Sequence, residues 1–548
     1  MSLLKARRRM SPVVALAAAS LVAQLPLFQR SIVSLDEGQL TAIGHRLSQG
    51  QILYRDVYTG IFPGIYWLAE ALFRLFGTDV LLLRIAQMGM NTAIAVLLFL
   101  LAKRLGCGRA AWAPPLGFYG LMVLSFPVYT MLTYSSASLA CALLAVLFAC
   151  RFVESARTID GVVIGVSLAL CTIFKQNFGV FTLLPVFASL LWARPLGALA
   201  TASVVRTLAV PALSGLAIAV LAAARLWTSG AWPAFIEATG LTLMANQMET
   251  FNQPLPPLFG AHPLAEGTFL FLYGPSGMFG SMLQGDAWAS PRIVSMLVRI
   301  GYGSAYLALA ATPWLLFRLG RETNARVHAT GRVVLPFSAL FFLGIFPSAI
   351  WSHLAAVYPP LLIVLAVVAV TISEMLTRNW QRMGDGLRVV AWTMVGVGLA
   401  FCVRLERQLS VSFPNAFDLP HASLRVGERE LALYQAANKF LLQCAEDGEP
   451  VLVLPDMPLL YVTSGRLNPT PYDLIIPGDV RETDILERMR ATNVRCVVFN
   501  PHMYVQFSEF EKLFPGLSSY LKKEFDRVGA VVVGQTEWHF LRRKGESW

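Results

Sequence analysis

Runs of about twenty predominantly apolar residues recur along this chain, and they constrain its fold more than any other feature. A helix that crosses a bilayer needs about 20 such residues, because hydrocarbon offers no partner to an unsatisfied peptide group. By that criterion spans are predicted at 12–29, 81–102, 110–128, 134–152, 160–174, 178–193, 207–228, 294–317, 333–350, 354–373 and 388–404, about eleven in all. The pair 160–174 and 178–193 falls below the usual length. Composition agrees: 56% of the 548 residues are hydrophobic and 14% charged, against about 25% charged in soluble domains. These values exclude a soluble enzyme and a disordered chain, and seven cysteines supply no disulfide framework. The expected fold is an α-helical polytopic membrane protein.

The net charge of +11 needs an explanation, and the positions of Lys and Arg supply it. Lys5, Arg7, Arg8 and Arg9 precede the first span. With that end in the cytoplasm, alternation puts Lys103, Arg104, Arg109, Arg151, Arg157, Arg194 and Arg206 on the same side. Arg318, Arg321, Arg326, Arg332, Arg378, Arg382 and Arg388 follow them there, whereas the opposite loop 229–293 carries Arg292 alone. The basic excess is thus a topology signal, and nucleic acid is not an expected partner. The basic start, apolar run and Ala18-Ala19-Ser20 also fit a secretory signal, but an uncleaved first span is the preferred reading. Cleavage would leave the remaining topology unchanged.

Three stretches are too polar for the bilayer, and this topology places all of them outside the cytoplasm: 31–80, 229–293 and 405–548. The chain therefore divides into a membrane domain, 1–404, and a C-terminal soluble domain, 405–548. Within 31–80, Leu40–Leu47 and Tyr66–Phe76 read as amphipathic helices lying on the membrane surface. In the tail, Val451–Leu454, Val494–Phe499 and Ala530–Val533 read as buried strands, and Ser508 to Glu511 has capping-box spacing for a helix through Lys523. A small α/β module is expected, with turns at Asn468–Pro471 and Ile476–Gly478. Cys444 and Cys496 both lie in it; pairing is open to them, although a strand cysteine is more often simply buried.

No Walker A sequence, Gly-x-Gly-x-x-Gly after a strand, His-Glu-x-x-His, Cys-x-x-Cys or Gly-x-Ser-x-Gly occurs, which removes most support for nucleotide hydrolysis, dinucleotide redox chemistry, thiol exchange and common serine hydrolysis. The sharpest local signal is Asp36-Glu37, just past the first span. Adjacent carboxylates raise each other's proton affinity, so one suits a general base, or the pair suits a divalent cation. The plain alternative is two solvated residues at a helix end.

The residues that follow extend the signal: Gly38, Ile52-Leu-Tyr-Arg-Asp56, Phe62-Pro-Gly64, Tyr66, Leu75-Phe-Gly77 and Leu82-Leu-Arg84. In this order they resemble the first external loop of the GT-C glycosyltransferases, in the branch of protein O-mannosyltransferases and bacterial aminoarabinose and lipopolysaccharide-sugar transferases. Phe174-Lys-Gln-Asn-Phe-Gly179 resembles that branch's Lys-containing turn between two short spans. Ser352-His-Leu through Tyr358-Pro-Pro360 resembles its late helix start, and Ser464-Gly-Arg466 with Asn468-Pro469 its external domain. Each motif is short, and together they cover most of the membrane body.

The resemblance implies inverting sugar transfer on the outer face of a bacterial inner membrane, from a polyprenyl-phosphate-linked donor to a glycan, lipid or protein acceptor. Sugar nucleotides are cytoplasmic, so an activated sugar on that face should arrive tethered to lipid. Asp36 falls at the family's catalytic acidic position and is assigned the base role, with Glu37 as companion. For the donor phosphate, Arg55, Lys175 and Arg84 are nominated. Lys175 stands between two apolar segments, where an ionisable group is expensive, although snorkelling also places lysines there. Arg84 also reads as an interfacial anchor, and Arg55 as a loop residue. One departure matters: Ile61-Phe62-Pro63 stands where many relatives have Lys-Pro-Pro or Lys-Leu-Pro, so another cation is expected at the phosphate. His45, His262 and His353 fall on the same side, and a divalent cation between Asp36 and His262 or His353 is conceivable, yet they lack ligand spacing and no metal site is assigned. Trp232, Trp288 and Trp351 near span ends fit an aromatic belt.

The main rival is a transporter or flippase of a lipid-linked or small solute. Such proteins carry ionisable or helix-breaking residues mid-membrane and matching halves. Here the spans are nearly charge-free and the polar material lies in external loops. A non-catalytic assembly protein is the third reading.

Overall fold

The computed structural model describes residues 11–201, 203–240, 252–259, 262, 267–278, 290–379, 381–478, 480–501, 510–534 and 536–545. Lys5, Arg7 to Arg9, Trp288 and the Ser508 capping position lie outside them. Among the described residues eight helices are long and apolar enough to cross a membrane: Val80–Arg104, Tyr134–Ser155, Gln176–Leu196, Val204–Thr228, Pro291–Leu319, Ala325–Ile345, Pro359–Thr377 and Asp385–Ser412. The other three expected spans contain shorter helices, Pro12–Gln24, Ala113–Leu124 and Thr158–Phe174.

In chain order α1 is Pro12–Gln24, α2 Asp36–Ser48, α3 Gly64–Phe76, α4 Val80–Arg104, α5 Ala113–Leu124, α6 Tyr134–Ser155, α7 Thr158–Phe174, α8 Gln176–Ala193, α9 Val204–Thr228 and α10 Trp232–Thr239. The membrane body is knit by close packing of α6 on α7 and α7 on α9, where a Cβ at Gly165 would collide with Pro211 and Ser214 of α9. Buried amides add specificity: Gln87 donates to Asn91 (2.8 Å) and Ser136 (2.9 Å), and Asn91 donates to Gln24 Oε1 and Tyr129 O, both at 2.8 Å. The outward face of α9 is left to lipid, with Leu213, Leu216, Val220 and Leu221 all more than half exposed.

The amphipathic runs of 31–80 form α2 and α3 as expected, but α2 does not lie open on the membrane surface. It is sandwiched. On one side Gly44 meets α3, where an added Cβ would come within 2.8 Å of the Ala69 Cβ; on the other Gly38 meets Leu459 and Pro458. Two-sided burial of Leu40, Ala42, Ile43 and Leu47 uses more apolar surface than a one-sided surface helix would.

After the last long apolar helix, Gln381–Ser412, comes a hairpin of β1 (Asn415–Leu419) and β2 (Ala422–Val426). A four-stranded sheet follows in the order β3-β4-β6-β5, with β3 Leu452–Leu454, β4 Cys496–Phe499, β5 Phe525–Val533 and β6 Thr536–Arg543. β3 and β4 are parallel and the other pairs antiparallel. The alternation of side chains sends Val451 and Val453 to one apolar cluster and Leu452 and Leu454 to another, so both faces of the sheet are covered. The expected tail strands are thus present; β1, β2 and β6 were not anticipated, since their exposed charged residues mask the alternation. Cys444 and Cys496 form a disulfide, joining the end of helix Glu428–Cys444 to β4.

This C-terminal region clasps the segment that carries α2 and α3. Ser31 N donates to Arg425 O, Val80 N to His421 O and Tyr58 N to Pro471 O, at 2.9, 3.0 and 2.8 Å. Tyr434 donates to Ser34 Oγ (2.9 Å), and the Ser34 hydroxyl donates to Asp456 O (2.7 Å).

Candidate active site

The first turn of α2 holds two carboxylates with opposite fates. Glu37 is buried, and Arg84 grips both its oxygens: Nε to Oε1 at 2.7 Å and Nη2 to Oε2 at 2.6 Å. The remaining Arg84 N–H groups donate to Phe28 O (3.0 Å), Arg30 O (2.9 Å) and Ser31 O (2.8 Å). A guanidinium has five N–H donors, and all five are used. Arg84 therefore has none left for a phosphate, which corrects its nomination as a donor ligand. It fixes the turn that precedes α2.

Asp36 has no hydrogen-bond or ion-pair partner among the described residues, and it is exposed. Desolvation, and then the neighbouring Glu37, push its carboxyl above the usual carboxylate range. The helix N-terminus favours a carboxylate there, but desolvation prevails. The Tyr66 and Tyr134 hydroxyls lie within electrostatic reach of it. Tyr66 is held by Thr59, 2.9 Å away.

The far end of α2 is clamped in the same way. Arg46 Nη1 donates to both oxygens of Asp473 at 3.1 Å, Nε to Gln51 (2.8 Å), and Nη2 to Asp56 O (3.1 Å) and Thr470 O (3.0 Å). Two saturated arginines thus set the position of the helix that presents Asp36.

Lys175 occupies the extended break between α7 and α8. Its ammonium donates to Ser135 Oγ at 3.0 Å and lies 4.0 Å from the Phe178 ring centre and 5.2 Å from that of Tyr134. Burial lowers it to about 7. The motif around it has local causes: Asn177 donates to Gly344 O (3.2 Å), and a Cβ at Gly179 would overlap Thr172. Tyr134 therefore stands between the surroundings of Asp36 and those of Lys175. The sequence reading omitted Tyr134 and Ser135; the polar Thr133–Ser136 opening of an apolar span was the available signal.

Arg55 is not brought to this cluster. It pairs with Asp56 at 3.0 Å and is half-exposed. His353 Nδ1 donates to Ser348 O (2.6 Å), and burial together with Lys175 lowers it to about 4. His262 is spanned by Pro257 O and Ser295 Oγ, both at 2.7 Å, and His45 meets Thr78 Oγ1 at 2.8 Å. Glu37 is committed to Arg84, and no three His, Cys, Asp or Glu side chains converge among the described residues. Trp351 is buried and donates to Ser125 (2.9 Å), so it belongs to the core and not to an aromatic belt.

Beside this cluster an apolar groove of about 630 Å³ runs between α7, α8 and α9. Leu168, Phe187, Leu216 and Leu226 line its length, and Phe62, Pro63, Trp232 and Phe235 close one end. Thr172 and Ile173, the residues leading to Lys175, form part of its wall.

No family model matches the chain, and no curated protein matches it in sequence. Among solved structures, ArnT from Cupriavidus metallidurans in the apo state is similar, with a TM-score of 0.51 and 12% identity over 96% of this chain and 97% of that one. The same ArnT bound to undecaprenyl phosphate gives a TM-score of 0.46 and 13% identity over 97% and 98% of the two chains. The Archaeoglobus fulgidus oligosaccharyltransferase, tethered to an acceptor peptide containing the NVT sequon, gives 0.47 and 11% over 96% of this chain and 74% of that one. Over nearly its whole length, the chain shares the polytopic fold of ArnT.

Proposed function

We propose that the protein is an inverting glycosyltransferase that moves a sugar from a polyprenyl-phosphate-linked donor to a glycan, lipid or protein acceptor. The carrying observation is the Lys175 ammonium 5.2 Å from the ring centre of Tyr134, which lies within electrostatic reach of the unpaired Asp36, with Thr172 and Ile173 just before Lys175 walling an apolar groove. The isoprenoid lies in the groove, with its phosphate beside Lys175. Asp36 accepts the proton of the acceptor hydroxyl as that oxygen bonds to the anomeric carbon. The bond from that carbon to the phosphate oxygen breaks, and polyprenyl phosphate departs. Lys175 stabilises the charge on the leaving phosphate, a role that needs its ammonium protonated. An arriving phosphate anion favours that state.

Glu37 and Arg84 act by holding the first turn of α2, and Arg55 lies outside the reacting cluster. The basic loops support an N-terminus in the cytoplasm, which puts α2, the groove mouth and the C-terminal region on the outer face of an inner membrane. A carrier reading lacks a comparable observation, because the unpaired carboxylate lies at the membrane surface and not within a span.

The test is sugar transfer by purified protein in vesicles, given a defined polyprenyl-phosphate sugar and an extract of envelope acceptors. Wild-type protein should transfer, and Asp36→Asn should lose about 10²–10⁴-fold in rate while melting normally. Transfer undiminished in Asp36→Asn contradicts the proposal.

A further inference from the structure

At the end of the bundle away from Asp36, a second pocket of about 410 Å³ opens between the end of α4 and the start of the Ala325–Phe341 helix. It lies roughly 28 Å along α4 from Arg84, at 1.5 Å per residue, so the two sites face opposite membrane surfaces. Its lining is Leu100, Lys103, Arg104, Gly106, Asn324, Arg326 and Val327.

The charges in this pocket do not balance. Glu154 accepts from both Arg104 (2.6 Å) and Arg326 (3.1 Å) through the same oxygen, Oε1. Lys103 has no acidic partner among the described residues; its ammonium lies 5.9 Å from the Phe99 ring centre. Arg104 and Arg326 share the Glu154 carboxylate, and the second carboxylate at the rim, Glu322, accepts from Asn324 N at 2.9 Å, which leaves Lys103 unpaired among the described residues. Gly106, at φ +79°, turns the chain sharply after α4, and a Cβ added there would lie 3.6 Å from Val327 Cγ2. Leu100 and Val327 give the same pocket an apolar wall that continues toward the bilayer.

We propose that this pocket binds a phosphate-type oxyanion at the membrane surface opposite the sugar-transfer site, with Lys103 and Arg326 as its principal contacts. The phosphodiester of an anionic phospholipid and a free phosphate share that chemistry; the apolar wall suits the lipid, whose acyl chains would lie along Leu100. The inference does not depend on the proposed transferase activity. Basic pockets between helices at this level suit anionic headgroups, each Lys or Arg near the surface contributing about a factor of five in affinity.

The test measures bound lipid by native mass spectrometry of full-length protein equilibrated in phosphatidylcholine discs containing one-fifth phosphatidylglycerol, with inorganic phosphate titrated in parallel. Lys103 and Arg326 are exposed, so the double variant Lys103→Ala/Arg326→Ala should fold. Arg206→Ala, a basic position elsewhere on the same surface, is the control. Wild-type protein and the control should retain phosphatidylglycerol, and the double variant should bind it roughly thirtyfold more weakly. Loss of inorganic-phosphate binding without loss of lipid would support the site with a soluble anion as its ligand. Equal retention of both ligands by wild type and double variant overturns the proposal, as does equal loss in the Arg206→Ala control.

Discussion

Arg84 holds both carboxylate oxygens of Glu37, at 2.7 and 2.6 Å, while Asp36, one residue earlier on the same helical turn, keeps its carboxylate unpaired. The locked residue orients the turn and the unlocked one is available for proton transfer. Breaking a buried pair by removing one partner costs about 3–5 kcal/mol, because the other charge is left uncompensated. Arg84→Ala should therefore lower the thermal midpoint sharply and reduce the yield of folded protein. An Arg84→Ala protein that melts like wild type would show that the fork does not hold α2.

Lys175 should set the alkaline limb of donor binding. Its ammonium is lowered to about 7 by burial, so in the free protein the charge is lost as pH rises through that value. The kcat/KM for a polyprenyl-phosphate sugar should fall above about pH 7, and Lys175→Met should flatten this limb while weakening donor binding. Since the folded protein pays for burying the charged form, Lys175→Met should be no less stable than wild type at neutral pH. Identical alkaline limbs in the two proteins would remove Lys175 from the phosphate site.

The groove makes a separate prediction about chain length. Ala219 lines it and is exposed to it, so Ala219→Trp should obstruct an isoprenoid without disturbing Asp36. The KM for a long-chain donor should rise severalfold while that for a donor with one or two isoprene units changes little. Parallel kinetics on the two donors would decide this, and an equal rise for both would argue against the groove as the lipid site.

Asp473 tests the other clamp. It is fully buried against Arg46, so Asp473→Ala should destabilise the protein by about 3–5 kcal/mol and expose the α2 region to hydrogen exchange. Exchange confined to the C-terminal sheet would show that the two regions are not coupled through this pair.

The membrane body was legible because the length and apolarity of a span are dictated by the bilayer itself. Lys175 was legible for a related reason: a charge between two apolar segments is costly enough to need a cause. Arg84 was misread because sequence shows a basic residue near a span end but not the three carbonyls of residues 28–31 that surround it. Tyr134 and Ser135 were missed because their contact with Lys175 depends on a helix break forty residues away. The sandwiching of α2 was hidden for a similar reason, since an amphipathic pattern does not reveal that a C-terminal region returns to cover its second face.

The most direct test of the central claim is the single-turnover rate of sugar transfer against pH, for wild type and Asp36→Asn. The Asp36 carboxyl is raised above the ordinary range, so a base at this position becomes competent only as pH rises through that elevated value. Its charged form carries a desolvation cost, so any stability difference should favour Asp36→Asn as pH rises. The wild-type rate should climb along an acid limb, and the Asp36→Asn rate should be low and flat across it. An acid limb that persists unchanged in Asp36→Asn would contradict the assignment of Asp36 as the base.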